Sequence, residues 1–221
     1  MKTKSLIITL VAFLGLCSCK QSKEEKAQQM IVEYFKDKVY HFDSYKPLQT
    51  KVDSLFVSLA FDKEAIYLTL DMLKLFQLKE EYTNKIEDAE SSMDIWSPDG
   101  YSSTYSRGEY KRAKKERDEN KRRLDKTKDR IKAQFDKIKT RQSKIKTGVF
   151  DGWKVYHRLK CLNGAGTFDL FDEHIFLCDK NFNVKFECSK KDFEFLSKIL
   201  NTIAVSDDVP EFVEKLQDVI F

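Results

Sequence analysis

Glycine and proline are scarce in this chain, and their scarcity excludes several kinds of protein. The 221 residues include only 7 glycines and 3 prolines, whereas sandwiches, barrels and disordered tethers use many of these residues in turns and linkers. Hydrophobic residues make up 41% of the chain, which is enough apolar material for one core of ordinary size. We therefore expect a folded domain rather than a flexible tether.

Long apolar runs are also missing, apart from one short run near the start. Lys2 and Lys4 precede an apolar stretch over residues 6–16, which is too short to span a bilayer as a permanent helix. A basic start, an apolar run and small residues form the layout of a secretory signal peptide. We predict that residues 1–18 are such a signal.

The end of this signal resembles the lipobox of bacterial lipoproteins. Leu16-Cys17-Ser18-Cys19 places an apolar residue and a small residue before a cysteine, and the resemblance implies that Cys19 is acylated and becomes the mature N-terminus. Cys17 is a poorer candidate because the bulky Leu16 stands directly before it, and a cleaved signal without lipid is the alternative. Since Lys20 stands where an inner-membrane retention signal would usually place Asp, we expect the outer membrane of a bacterial envelope as the destination.

Few cysteines follow Cys19, and their number and spacing exclude two kinds of site. Cys161, Cys178 and Cys188 are odd in number, so at least one has no partner within the chain. No CxxC or zinc-ligand spacing is present. We expect all three cysteines to be small core residues without a disulfide.

Positive charge is concentrated in one segment, and helical periodicity covers the same segment. Residues 106–146 contain 18 Lys and Arg against 7 Asp and Glu, a net charge of +11 in a chain whose total is +4. Apolar residues recur there at multiples of seven. The apolar column consists of Tyr110, Leu124, Ile131, Ile138 and Ile145. The companion column is mostly polar and consists of Ala113, Asn120, Thr127, Gln134 and Arg141.

A helix with an apolar stripe this narrow can pack against only one partner helix. The preceding segment supplies a matching stripe from Leu75 to Met93, and Ser-Pro-Asp-Gly at residues 97–100 has the composition of a turn. The pattern predicts a long antiparallel helical (coiled-coil) hairpin over residues 63–147. We expect this hairpin to be an insertion, so that a linker could replace residues 72–143 without unfolding the rest.

The segments on either side predict an α+β domain. Residues 27–35 have helical spacing, strand alternation starts near Leu55, and alternation is clear from Trp153 to Cys161. We expect a small antiparallel sheet of about four strands, packed with helices and interrupted by the hairpin. The expected organisation is a lipoprotein signal peptide (1–18), the first part of the α+β domain (19–62), the hairpin (63–147) and the second part of the domain (148–221).

Two blocks of these flanks resemble small envelope lipoproteins of Bacteroidetes-type bacteria. The first block, residues 30–47, is a helical segment that runs into an Asp-Ser-Tyr-Lys-Pro element. The second block, residues 154–184, has a strand with His157 and Arg158, an Asn-Gly turn and a strand that ends in Asp179. The resemblance implies a compact lipoprotein domain of unknown function, with the hairpin inserted between the blocks.

A two-residue loop at residues 164–165 would place His157 opposite Asp172, with His174 on the same face. A His-Asp pair can act as a general base, and two His with one Asp can ligate a metal. No Ser or Cys motif marks a nucleophile, however, and no further metal ligand is evident. We favour a hydrogen-bonded pair that orients buried polar groups, and we expect no catalytic residue, metal or cofactor.

Two classes of function follow. The first is a membrane-anchored envelope lipoprotein that acts as a binding or scaffold module and is not an enzyme. Its basic helix would contact an anionic lipid, polysaccharide or protein partner through Lys114, Lys121, Arg122 and Lys128. A solvated helix whose cations only maintain solubility is the alternative for this segment, and nucleic acid does not fit the expected location. The second class is an envelope enzyme or metal-binding protein that uses the His157/Asp172/His174 face.

Overall fold

The computed structural model describes residues 21–97 and 103–220, and its fold is mixed α+β. Within these residues there are five α-helices and one four-stranded antiparallel sheet. The helices are α1 (Lys23–Lys36), α2 (Lys63–Ile95), α3 (Thr104–Lys144), α4 (Lys190–Ala204) and α5 (Val209–Ile220). The strands are β1 (Lys46–Phe56), β2 (Phe150–Leu162), β3 (Asp169–Cys178) and β4 (Val184–Ser189), arranged in that order across the sheet. The predicted fold class is confirmed, whereas the predicted signal peptide, Cys19 and the turn at residues 98–100 lie outside the described residues.

The chain divides into two compact units. The first consists of residues 21–54 and 152–187, which include α1 and most of the sheet. The second consists of residues 55–151 and 188–220, which include α2, α3, α4 and α5. In this division the hairpin shares its unit with the two C-terminal helices.

Helix α1 packs on the sheet to form the core of the first unit. Its start is fixed by a capping box, in which the Ser22 hydroxyl accepts a hydrogen bond from the Glu25 backbone N and the Glu25 carboxylate accepts one from the Ser22 backbone N. Three residues spaced one helical turn apart, Ala27, Ile31 and Phe35, are buried against the sheet. The buried core of this unit consists of Ala27, Ile31, Phe35, Val155, Leu159, Cys161, Phe176, Cys178 and Phe182.

Strand β1 follows Tyr45 and ends at Phe56, before the end of the alternation from Leu55 to Leu59 that predicted it. It starts at Lys46 and includes Pro47, and most of its side chains are exposed. The strand lies at one edge of the sheet, where a proline and a polar sequence cost no ladder hydrogen bonds. An edge strand of this kind lacks the apolar alternation on which the prediction depended.

The register of β2 and β3 also differs from the predicted one. His157 lies opposite His174, and Asp172 lies opposite Leu159, so the predicted pairing of His157 with Asp172 is wrong by two residues. Because side chains alternate with a period of two, this even shift leaves every side chain on its predicted face.

A longer turn accounts for the shift. The β2–β3 loop covers residues 163–168 rather than two residues, because the Asn163 side chain organises it. Asn163 Oδ1 accepts hydrogen bonds from the backbone N of Thr167 at 2.7 Å and of Phe168 at 3.3 Å. Gly166 adopts a φ of 70°, which glycine tolerates without strain.

Cys161, Cys178 and Cys188 form no disulfide, as predicted, but Cys188 is only partly buried and is not the core residue that we expected. Cys161 and Cys178 are buried, and Cys161 of β2 lies opposite Leu170 of β3. Burial raises the pKa of the Cys161 thiol and raises that of Cys178 to about 12. These two thiols therefore stay protonated at neutral pH and serve as core residues.

Helices α2 and α3 pack against each other as an antiparallel pair. Near the start of α2, Asp62 binds Arg141 of α3 through two hydrogen bonds of 2.7 and 3.0 Å. Near its end, Glu90 forms an ion pair of 2.8 Å with Lys121. The partner numbers decrease along α3 as they increase along α2, so the predicted antiparallel hairpin is confirmed.

The seam of the hairpin is more polar than the predicted column. In α3 the residues Ala113, Asn120 and Thr127 are buried, whereas Tyr110 and Leu124 of the predicted apolar column are only partly buried. Small side chains let the two helices approach closely, and the Thr127 hydroxyl donates to the Arg123 carbonyl at 2.8 Å. Both columns of α3 therefore contribute to the packing against α2. The column of small and polar side chains supplies the buried residues between Ala113 and Thr127.

The base of the hairpin packs on α4 and α5. The Phe135 ring lies 5.9 Å from the Phe212 ring, and Phe212 is fully buried. Lys139 Nζ donates to the Ala204 carbonyl at 3.2 Å, and Gln142 Nε2 donates to the same oxygen at 3.2 Å. Helix α3 therefore contributes a side chain to this core and hydrogen-bond donors to the end of α4.

Candidate functional site

A polar cluster lies between α1 and the sheet in the first unit. His157 from β2 and His174 from β3 occupy directly opposite positions. The Phe35 ring of α1 lies 6.3 Å from the His157 ring and 5.0 Å from the His174 ring. The two imidazoles therefore lie at one site, where His157 is fully buried and His174 is partly buried.

His157 lies between two hydroxyl groups. Its Nε2 lies 2.8 Å from the Tyr45 hydroxyl and its Nδ1 lies 3.0 Å from the Thr50 hydroxyl. The side chain is fully buried. Burial lowers the pKa of His157 from 6.5 to about 4, and the charge of His174 acts in the same direction. Burial also raises the pKa of Tyr45 to about 12, so both groups are uncharged at neutral pH.

His174 lies instead between two carboxylates. Its Nδ1 lies 2.5 Å from Glu187 and its Nε2 lies 3.1 Å from Asp172. Burial opposes protonation of His174, but the hydrogen bond to Glu187 and the two negative charges outweigh it, so the pKa of His174 is raised. Burial would raise the pKa of Glu187, but hydrogen bonds from His174 and Tyr34 lower it. The contact between them therefore favours the ionised form of Glu187 and the protonated form of His174.

Protein groups surround the ring nitrogens of both histidines. All four ring nitrogens lie within hydrogen-bond distance of a protein oxygen. Among the residues that the structure describes, no group of three or more His, Cys, Asp and Glu side chains could hold a metal ion. The hydrogen-bond partners of His157 are Tyr45 and Thr50 rather than the predicted Asp172, which lies beside His174 instead.

The cluster predicts a pH-dependent stability. Because the pKa of His157 is lowered from 6.5 to about 4 on folding, the unfolded chain binds more protons between these values, and stability should fall as the pH drops through this range. At 1.36 kcal/mol per pKa unit, the difference amounts to about 3 kcal/mol. His174 has a raised pKa and acts oppositely, since its contribution is present below pH 6.5 and is lost as the pH rises through its folded-state value.

Urea unfolding of the wild type and of His157→Gln at pH 7 and pH 4 isolates the His157 contribution. Glutamine keeps a donor and an acceptor for Tyr45 and Thr50 but does not titrate. We expect the wild type to lose about 3 kcal/mol more than the variant on acidification. Equal losses would show that His157 does not carry this pH dependence.

The second candidate site is the basic surface of α3. This helix contains 17 Lys and Arg against 7 Asp and Glu, whereas α2 contains 4 Lys against 8 Asp and Glu. The net charges are therefore +10 and −4. The cations of α3 exceed what its partner helix can neutralise, and the excess lies on side chains that face solvent.

The four predicted contact residues are all exposed on α3, but their surroundings differ. Lys121 is paired with Glu90 of α2, and Lys128 lies 3.8 Å from Asp125 of its own helix. Lys114 and Arg122 form no ion pair with the residues that the structure describes. Lys114 and Arg122 therefore offer the most available charge, about 12 Å apart along the helix.

Several residues of these sites are absent from the sequence-based prediction. Tyr45, Thr50, Tyr34 and Glu187 complete the histidine cluster, and Glu90 neutralises Lys121. The Tyr45 and Thr50 contacts join residues more than 100 positions apart, so no local spacing could reveal them. The acidic composition of α2 could have indicated that a carboxylate such as Glu90 neutralises a cation of α3.

No family model matches this chain, and no curated protein or solved structure is detectably similar to it. None of the helices within the described ranges is long and apolar enough to cross a bilayer. The assignment of a function therefore depends on the geometry above and on the pattern of the N-terminal residues.

Proposed function

We propose that this protein is a lipid-anchored lipoprotein of the bacterial envelope, related to the small Bacteroidetes-type lipoproteins, and that it acts as a binding or scaffold module. Cys19 would carry the lipid in the outer membrane. The basic surface of α3 would bind an anionic ligand of the envelope, such as lipid phosphate or acidic polysaccharide. The observation that supports this proposal most is the unbalanced charge of α3, whose exposed Lys114 and Arg122 form no ion pair among the described residues, although Arg122 Nε donates to the Asp118 carbonyl at 3.3 Å.

The hairpin provides a suitable support for such a surface. Two long helices pack along their length, so the cations of α3 keep a fixed spacing. Ordering costs are smaller when charged side chains stand on a rigid element than when they stand on a loop. Attraction between exposed charges also increases the rate at which an anionic ligand is captured.

Neutralising the two available cations tests this surface. We expect Lys114→Gln with Arg122→Gln to weaken binding of the soluble chain from Lys20 to phosphatidylglycerol vesicles, lipopolysaccharide or a polyuronate. At about 1 kcal/mol for each cation near an anionic surface, the loss should be roughly thirtyfold. Lys121 is left unchanged because its pair with Glu90 joins the two helices.

A matched control removes the same charge from α2. Lys74 and Lys85 pair with Asp71 and Glu81 within their own helix, so Lys74→Gln with Lys85→Gln should change binding much less. Circular dichroism should show unchanged helix content in both variants. Equal weakening by the two pairs would contradict a localised α3 site and would favour a solvated helix with general charge attraction.

A further inference from the structure

The start of α1 lies within a short reach of the proposed lipid. Ser22 caps this helix, and only three residue steps separate it from Cys19. An extended chain spans at most about 3.6 Å per residue, so Ser22 lies within about 11 Å of Cys19. This reach is similar to the Debye length of about 8 Å at physiological salt. Charged groups beside the first turn of α1 would therefore feel the headgroup layer directly.

An aromatic and basic surface surrounds this first turn. Lys23 Nζ lies 4.2 Å from the centre of the Trp153 ring, and that ring stacks on Phe182 at 5.5 Å. Trp153 Nε1 donates a hydrogen bond to the Lys180 carbonyl at 3.2 Å. We call the surface formed by Lys23, Lys26, Trp153 and Lys180 the anchor face. The first two lysines lie on α1, Trp153 lies near the start of β2, and Lys180 lies in the β3–β4 turn. Tryptophan and lysine are the side chains that favour the polar boundary of a bilayer.

Acidic groups near the anchor face are largely engaged. Glu25 accepts the hydrogen bond of the α1 capping box, and Asp179 accepts hydrogen bonds from Asn181 and Asn183. Glu24 is exposed. The three lysines of this surface are balanced by these three carboxylates, and the short chain to Cys19, rather than net charge, would determine which side meets the lipid.

We propose that the anchor face lies in the headgroup layer of the phospholipid membrane that holds Cys19, with the N-terminal end of α1 directed toward the membrane. We call this orientation end-on docking. This docking rests on the proposed acylation of Cys19. The ammonium groups of Lys23, Lys26 and Lys180 would contact lipid phosphates, with Trp153 at the polar boundary. Lys36 stands at the other end of α1, about 20 Å further along the helix than Lys23. End-on docking leaves Lys36 in solvent.

Lysine acetylation followed by mass spectrometry tests this orientation. The full-length protein, processed in its cell envelope and reconstituted in vesicles of phosphatidylethanolamine and phosphatidylglycerol, is compared with the soluble mature Cys19→Ser protein. We expect acetylation of Lys23, Lys26 and Lys180 to fall several-fold in the vesicles. Acetylation of Lys36, the internal control on the same helix, should not change.

The intact mass of the reconstituted protein separates the two levels of the proposal. A mass without acyl groups would overturn the anchor and the docking together. An acylated protein with unchanged acetylation of the anchor face would overturn the docking alone. Equal protection of Lys26 and Lys36 would show that α1 lies flat on the membrane, which also contradicts end-on docking.

Discussion

The Cys19→Ser protein should lose its membrane attachment completely or accumulate as an uncleaved precursor. A lipidated Cys19 would carry a thioether-linked diacylglyceryl group and an amide-linked acyl chain. One acyl chain gives only marginal, reversible membrane binding, whereas two or more give stable anchoring. Fractionation of cells into soluble and membrane material, followed by immunoblotting and intact mass measurement, detects the change.

The neighbouring cysteine provides the matched control. Cys17 precedes the proposed cleavage site, so Cys17→Ser should be processed and anchored like the wild type. The anchor is excluded if mature Cys19→Ser protein remains in the membrane fraction to the same extent as the wild type.

A second large effect is expected at the base of the hairpin, where Phe135→Ala should destabilise the second unit by about 3–5 kcal/mol. Phe135 is 1% exposed and its ring meets that of Phe212. Truncation would remove a large apolar side chain from between α3 and α5 and leave a cavity. Equilibrium urea unfolding, monitored by circular dichroism, measures the loss.

Lys132→Ala is the control because Lys132 is exposed one turn earlier on the same helix. We expect it to change the free energy of unfolding by less than about 0.5 kcal/mol. A loss below 1 kcal/mol for Phe135→Ala would contradict the packing of α3 on α5.

The same contacts change the expectation for a deletion of residues 72–143. This deletion removes Phe135 together with Lys139 and Gln142, which bind the Ala204 carbonyl. The buried Phe212 would then face solvent. We expect the shortened protein to lose cooperative packing of α4 and α5, whereas the position of the hairpin between two strands of one sheet predicted a replaceable insertion.

Much of the fold could be predicted because its strongest patterns are local. The helical spacing of residues 63–147 predicted the hairpin, and the alternation from Trp153 to Cys161 predicted β2. The errors have physical causes that these patterns do not contain. An edge position allows β1 to begin in a polar segment. The Asn163 side chain organises a longer loop than the two-residue loop that the glycines predicted.

The candidate sites could be predicted only in part, for a related reason. The alternation of side chains along the strands predicted that His157 and His174 share a face of the sheet. It did not predict their hydrogen-bond partners. Tyr45 and Thr50 come from a distant segment, and Glu187 comes from the next strand. In the hairpin, charge counting identified the basic surface, whereas the pairing of Lys121 with Glu90 required the orientation of both helices.

The salt dependence of anionic ligand binding tests the central claim most directly. The soluble chain from Lys20 should bind phosphatidylglycerol vesicles or polyuronate at 0.1 M salt, where the Debye length is about 10 Å. Binding should be lost at 1 M salt, where that length is about 3 Å. No binding at 0.1 M salt, or undiminished binding at 1 M salt, would contradict the claim that α3 is an electrostatic binding surface.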